Sequence, residues 1–488
     1  MLVLMSNPTS TLGQGQERPT GRAGRPRVLI AVMITAALMD MLDVTIVNVA
    51  LPTIRRRLHA GPSELEWVVA GYALAFAATL VLWGRVGDVF GRRRVFLVAV
   101  AVFGLASLGA GLSQTSAELI AARIIEGAAA GALVPQVLAT FRVSLDGKTR
   151  LTAFGVYGAV AGLAAAVGVI LGGVLTQYSL FGLSWRAVFL VNVPVCLIVL
   201  AAATVYVPES RAAGSRLDLP GGIVLAASLA AVAYPLLEGR SLGWPAWSFA
   251  LLAAGVLGVV ALAAIEHRRE RRGVTTLLQT GQFRYRAFSA GIATQGLFGF
   301  GLQGFSFTFI LWVQLGHGFS PLKAGLTLVA FSVGAVLTAP QAGQLAARLG
   351  NRVLITGGIL LAAGTLVAAI PAWSDATAAS LWPLLAGLTV AGAGLGLLVV
   401  PLVNVVLAAV PASSAGGASG TFSTAQQLGG ALGIAILGTT FFAHTGAHLN
   451  DAFAITAPIA AGAYGLAALL CLALPKTAVK DEDVIAAG

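Results

Sequence analysis

The sequence predicts an all-α membrane protein built as two six-helix bundles with two further transmembrane helices inserted between them, fourteen spans in all. Three observations lead there. The 488 residues are 57% hydrophobic and 10% charged, with mean hydropathy +0.88, a composition that a water-facing surface cannot sustain. Fourteen apolar stretches each reach the roughly twenty residues that about 30 Å of hydrocarbon requires. A glycine-rich basic motif in the first half returns, degenerate, 259 residues later.

Residues 1–27 are rich in Gly, Pro, Ser, Thr and Arg without an apolar core, and read as a disordered cytoplasmic tail. Six spans follow, near 29–50, 66–85, 95–113, 117–140, 152–177 and 186–207, and form a first bundle over 28–208. Spans near 219–238 and 246–265 make a two-helix insertion over 209–265. A basic linker over 266–287 holds Arg268, Arg269, Arg271, Arg272, Arg284 and Arg286, and is expected to lie on anionic lipid. The second bundle, 288–475, has spans near 288–312, 322–346, 352–372, 380–406, 417–443 and 453–474, and 476–488 is a second cytoplasmic tail. The duplication explains the bundles, and its excess length explains the insertion.

An even number of spans puts both termini on one side. With the tails inside, 23 Lys and Arg fall in cytoplasmic segments and 6 outside, with Arg123 within a span, as the positive-inside rule requires. The exception is Arg55, Arg56 and Arg57, placed outside. Trp67, Trp185, Trp244, Trp247, Trp312, Trp373 and Trp382 then lie near the outer boundary as an aromatic belt, and Trp83 near the inner one. The chain is expected to be a multi-pass cell-membrane protein acting as a monomer.

The +11 charge does not indicate nucleic acid, because the basic residues are scattered between apolar runs and not gathered on one face. Their partner is expected to be the anionic cytoplasmic leaflet. Cys196 and Cys471 lie in apolar runs and are assigned to packing. Neither cofactor nor metal is expected: of the five histidines only His444 and His448 share helical spacing, and solvated loop residues are their default reading.

Residues 84–94 read GRVGDVFGRRR, between two spans. Gly84, Gly87 and Gly91 remove side chains where helices approach, while Arg85, Asp88, Arg92 and Arg93 supply charges that can pair and re-pair. This string resembles the loop after the second span of the major facilitator superfamily, which implies a gating role and, for the chain, that superfamily's fold. In the second copy, GQLAARLGNR, Gly343, Gly350 and Arg352 stand for Gly84, Gly91 and Arg93, but Ala347 replaces the aspartate, so the gating charge is expected in the first half.

Ionisable residues inside a membrane usually face a cavity or one another. Asp40 and Asp43 lie in span one, Arg123 and Glu126 in span four. Each pair is spaced i, i+3 and shares a face; at 1.5 Å per residue Asp43 and Arg123 lie roughly 10 Å deep, Asp40 and Glu126 roughly 14 Å. Three carboxylates near one guanidinium cannot all be ionised cheaply, so one can carry a proton. The plain alternative is a static Asp43–Arg123 salt bridge.

The strings LDVTIVNVALP from Leu42, RIIEG from Arg123, WRAVFLVNVP from Trp185 and GTFSTAQQLGG from Gly420 resemble signatures of the fourteen-span drug and proton antiporter branch of that superfamily. The resemblance implies proton-coupled export of small amphipathic or cationic compounds by alternating access. Gly168, Gly172 and Gly173 match its fifth-span helix-packing motif, with Val169 in the proline position. For the substrate site, Tyr72, Phe76, Tyr157, Gln295, Phe298 and Gln427 are candidates facing the midplane, each with ordinary packing as the competing reading. A dedicated exporter of a single endogenous metabolite or antibiotic fits the same residues. A polytopic enzyme or sensor fits less well, since no nucleophile, base or metal ligands cluster at one face, and without a Walker loop the energy source is expected to be an ion gradient.

Overall fold

The computed structural model describes residues 26–179, 182–211, 218–272, 280–374, 382–410, 415–445 and 449–475; both tails fall outside them, apart from Pro26 and Arg27, as does 273–279 of the basic linker. The described residues form fourteen long helices: α1 Pro26–Leu58, α2 Pro62–Phe90, α3 Arg92–Leu112, α4 Ser116–Ser144, α5 Gly147–Tyr178 and α6 Ser184–Tyr206. Then come α7 Leu219–Glu238, α8 Ala246–Arg271, α9 Arg286–Gly316, α10 Pro321–Leu349, α11 Arg352–Trp373, α12 Trp382–Ala408, α13 Ala415–Ala443 and α14 Leu449–Ala473. Eleven are long and apolar enough to cross a membrane, and α2, bent by 49°, is a twelfth. Of the other two, α5 has an apolar stretch over Ala166–Tyr178, and the first half of α13 is rich in glycine and polar residues.

The pairings repeat. In the first bundle α1 packs on α5, α2 on α4, α3 on α4 and α6, and α1 on α6; in the second, α9 packs on α13, α10 on α12, α11 on α12 and α14, and α9 on α14. Each contact recurs eight helices later, which is a duplicated six-helix unit with α7 and α8 inserted. The bundles meet through α2 with α13 and α5 with α10, pairs that the same repeat exchanges. Gly173 of α5 lets its backbone approach α10 there, and Gly438 of α13 makes room for the Glu66 side chain of α2.

The two bundles share a core at one end only. Ile46 to Ile54 of α1, Leu65 to Ala73 of α2, Phe305 to Val313 of α9 and Ala431 to Phe442 of α13 belong to one apolar cluster at the end where α1 finishes. Farther away each bundle has its own core. At the opposite end, where the Gly84 to Arg94 turn lies, a Cβ on Gly155 or Gly158 of α5, Gly343 of α10 or Gly420 of α13 would meet nothing within 4 Å. The molecule is closed at the Arg55 end and parted at the Gly84 end.

Several elements differ from the sequence expectation. Helix α1 continues past residue 50 to Leu58, placing Arg55, Arg56 and Arg57 in its last turn, where the partial negative charge of a helix C-terminus favours cations. Arg55 also lies 5.9 Å from the Phe442 ring centre. Helix α8 runs to Arg271, so the start of the basic linker is helical; Glu266 is buried and Arg269 pairs with Asp218 at 2.9 Å. Trp185 and Trp312 are buried and leave the aromatic belt: Trp312 stacks on Phe453 at 4.3 Å, while Trp382 stays exposed.

Candidate functional site

The centre of the first bundle holds a buried charged cluster. Arg123 Nη1 donates to Asp43 Oδ2 at 2.5 Å and to Glu126 Oε2 at 2.6 Å, and its Nε donates to the Val68 carbonyl at 3.1 Å. The Tyr72 ring lies 4.3 Å from the guanidinium, and the Tyr72 hydroxyl donates to Asp40 Oδ1 at 2.5 Å. All five side chains are buried. Helical spacing sets up this meeting: Asp40 and Asp43 point from one face of α1, Arg123 and Glu126 from the facing side of α4, and α2 slides Tyr72 between them.

Two residues that the sequence reading did not single out complete the network. Asn192 Nδ2 of α6 donates to Asp43 Oδ1 at 3.3 Å and to Ser107 Oγ at 3.1 Å, and the Ser107 hydroxyl donates to Glu126. Ser107 is the only hydroxyl-bearing residue of α3 and Asn192 the only uncharged polar residue of WRAVFLVNVP. Polarity amid apolar sequence was the available signal. The cluster thus places three carboxyl groups around one guanidinium, a composition that can hold a proton as well as an ion pair.

Of the substrate candidates, Tyr72 is taken up by the charged cluster. Phe76 is buried 6.4 Å from the Tyr72 ring, and half-buried Tyr157 packs on the first bundle's core. Phe298 does not face a midplane cavity: it is buried against Tyr464 in the second bundle's own core, because α9 turns that face toward α14. Gln295 is buried with its Oε1 free of any hydrogen bond, and Gln427 is half-buried. His448 lies outside the described residues, and among those described no three His, Cys, Asp or Glu side chains are placed to hold a metal ion.

The Gly84 to Arg94 turn is tied to its own bundle. Asp88 pairs with Arg92 at 2.7 Å, Arg93 donates through its side chain to the Thr204 carbonyl, and half-buried Arg85 precedes them. Glu209, beyond α6, accepts from the Arg93 amide at 3.2 Å and stands 3.7 Å from Arg94. Gly91 adopts φ +108°, which side chains disfavour, and a Cβ there would meet the Glu209 carboxylate. Gly84 has room beside Pro135, whereas Gly87 packs on Gln136, whose Nε2 donates to the Trp83 carbonyl at 2.9 Å. In the second copy Asn351 does the corresponding work uncharged, donating to the Cys471 and Leu474 carbonyls.

The three α5 glycines sit where backbones touch. Gly168 faces Thr45, a Cβ on Gly172 would lie 2.8 Å from the Ile46 carbonyl oxygen, and one on Gly173 would lie 2.7 Å from Leu322 Cα of α10. The Val169 carbonyl approaches Gly325. Among the described residues the hydrogen bonds joining the two bundles directly are also at this end: Gln314 to the Val49 carbonyl at 2.9 Å, and the Leu322 amide to Gln177 at 3.3 Å. Gln314 belongs to a π-helical last turn of α9.

The Major Facilitator Superfamily model matches residues 33–283 and 291–486. The chain is 36% identical over 446 residues, 89% of its length and 77% of the relative, to a probable actinorhodin transporter of Streptomyces coelicolor. It is 32% identical to the multidrug resistance protein Stp of Mycobacterium tuberculosis, over 84% of this chain and 75% of that one. The POT family transporter PepTSo superposes with TM-score 0.68 at 13% identity, covering 92% of this chain and 97% of that one, a likeness of fold alone.

Proposed function

Because this chain belongs to the major facilitator superfamily, we propose that it is a proton-coupled secondary exporter of small amphipathic or cationic compounds, with fourteen spans and alternating access. The buried Asp40–Asp43–Arg123–Glu126 cluster carries this reading. A cluster with more carboxyl groups than cations gains or loses a proton at small cost when its water access changes, and α1, which supplies two of those carboxyl groups, packs on α9 and α10 at the junction that must rearrange. In the parted arrangement a cationic compound reaching the cluster favours the ionised carboxylates, and a proton arriving from the other side displaces it. Asn192 and Ser107 keep Asp43 and Glu126 oriented throughout, and the Gly84 to Arg94 turn is the gating element. The Gly84 end is assigned to the cytoplasm with both termini, which leaves the closed Arg55 end outside.

The names of the relatives support drug and antibiotic efflux by a transporter and not an enzyme. That one relative is named for a single compound, actinorhodin, favours the narrower reading, an exporter dedicated to one compound. Uptake of a fluorescent cationic dye into everted vesicles under an imposed acid-inside gradient tests the coupling. Uptake by the native chain that Asp43→Asn abolishes is expected; gradient-driven uptake that survives Asp43→Asn overturns proton linkage through that carboxylate.

A further inference from the structure

A second buried carboxyl group sits at the closed end, where α2, α7 and α13 converge. Glu66 of α2 is 2% exposed, its Oε2 has no hydrogen-bond partner, and it lines a cavity of about 210 Å³ with Ser63, Arg240, Ser241 and Thr439. It presses on α13 so closely that a Cβ on Gly438 would lie 2.9 Å from its carboxyl carbon. The inserted helix α7 ties the same seam together. Trp67 donates to Glu238 at 3.0 Å, Arg240 to the Phe442 carbonyl at 2.7 Å, and Thr439 to the Leu236 carbonyl at 3.2 Å.

The charged neighbours of Glu66 leave its carboxyl group without an ion pair. At the end of α7 Glu238 is occupied by Trp67 and Ser241, and in the turn after it Arg240 engages a carbonyl; from α1, Arg55 reaches the Phe442 ring; α13 offers Thr439. Thr439 has one hydroxyl proton and gives it to Leu236, so it offers the Glu66 carboxyl group no donor. An ionised, unpaired carboxylate at this seam is costly to bury. Opening the seam wets the group and removes that cost.

We propose that Glu66 is a proton-operated latch of the closed end, protonated when α2, α7 and α13 are together and ionised when they part, with the inserted helix α7 as part of that gate. This rests on the alternating-access part of the proposed function, not on proton coupling at Asp43. Ala70, one turn from Glu66 on the same buried face of α2, reports opening. In purified protein with Cys196→Ala and Cys471→Ala, maleimide labelling of Ala70→Cys is normalised to that of exposed Leu242→Cys. Between about pH 5.5 and about pH 8 the normalised rate is expected to rise about tenfold. Glu66→Gln is expected to flatten this dependence at a slow rate, Glu66→Asp to keep it, and Asp43→Asn to leave it in place. Should Glu66→Gln fail to accumulate, Glu66→Met supplies the neutral chain. A rise that persists in the neutral variant, that Asp43→Asn removes, or that is missing from the parent overturns the latch; loss of dye transport alone bears on Asp43 and leaves it standing.

Discussion

Arg123 of α4 lies 2.5 Å from Asp43 of α1, 80 residues earlier, with both side chains shut away from solvent. The same nitrogen holds Glu126, so removing Arg123 leaves two buried carboxylates without their cation.

Arg123→Leu strands Asp43 and Glu126 and is expected to destabilise the protein by about 3–5 kcal/mol, the usual consequence of breaking a buried pair on one side. Thermal unfolding in detergent checks this. Adding Asp43→Asn to Arg123→Leu is expected to recover part of the loss, which non-additivity in a double-mutant cycle measures.

Asn192→Leu removes the donor shared by Asp43 and Ser107. Transport in everted vesicles is expected to fall and its pH profile to shift while the protein still accumulates, with about 1.5–3 kcal/mol of stability lost with the hydrogen bond to the Asp43 carboxylate. An unchanged profile would remove Asn192 from the positioning role.

Gly172→Ala pushes a methyl group toward the Ile46 backbone and forces α1 and α5 apart. A loss of about 1–3 kcal/mol in thermal stability is expected. Gly155→Ala on the same helix meets open space and is expected to be neutral or slightly stabilising.

Glu209→Gln weakens the hold on Arg93 and Arg94 without touching the buried cluster. Transport is expected to drop several-fold with near-normal stability, read from initial dye-efflux rates in cells and a thermal-shift control. Gly91→Ala, at φ +108° and against Glu209, is expected to cost both.

His317, in the connection after α9, is held below the ordinary histidine range by burial, partly offset by a hydrogen bond with Asn450. Its neutral form is therefore favoured by folding. The stability it supplies is full above about pH 6.5 and declines as the pH falls toward the lowered value. His317→Phe is expected to reduce the acid-side fall in melting temperature.

The membrane class, the repeat and the existence of buried charges were legible because composition, span length and motif spacing are local properties of the chain. The i, i+3 pairs announced that α1 and α4 each carry a charged face, since helix geometry alone sets that. Partners remote in sequence were not legible. Nothing near Glu209 marks it as the holder of the Gly91 turn, and Phe298 reads as readily toward a cavity as toward Tyr464, because periodicity gives a face but not what it meets.

The amino-acid sequence thus determined that the chain folds as a duplicated helical membrane protein with charge placed at matching depths. Only the tertiary structure decided that Arg123 holds both Asp43 and Glu126, that Asn192 and Ser107 close the network, and that the bundles join at the Arg55 end. The reason is physical: hydropathy fixes each helix across the bilayer one at a time, whereas rotation and pairing depend on which small residues let two backbones approach.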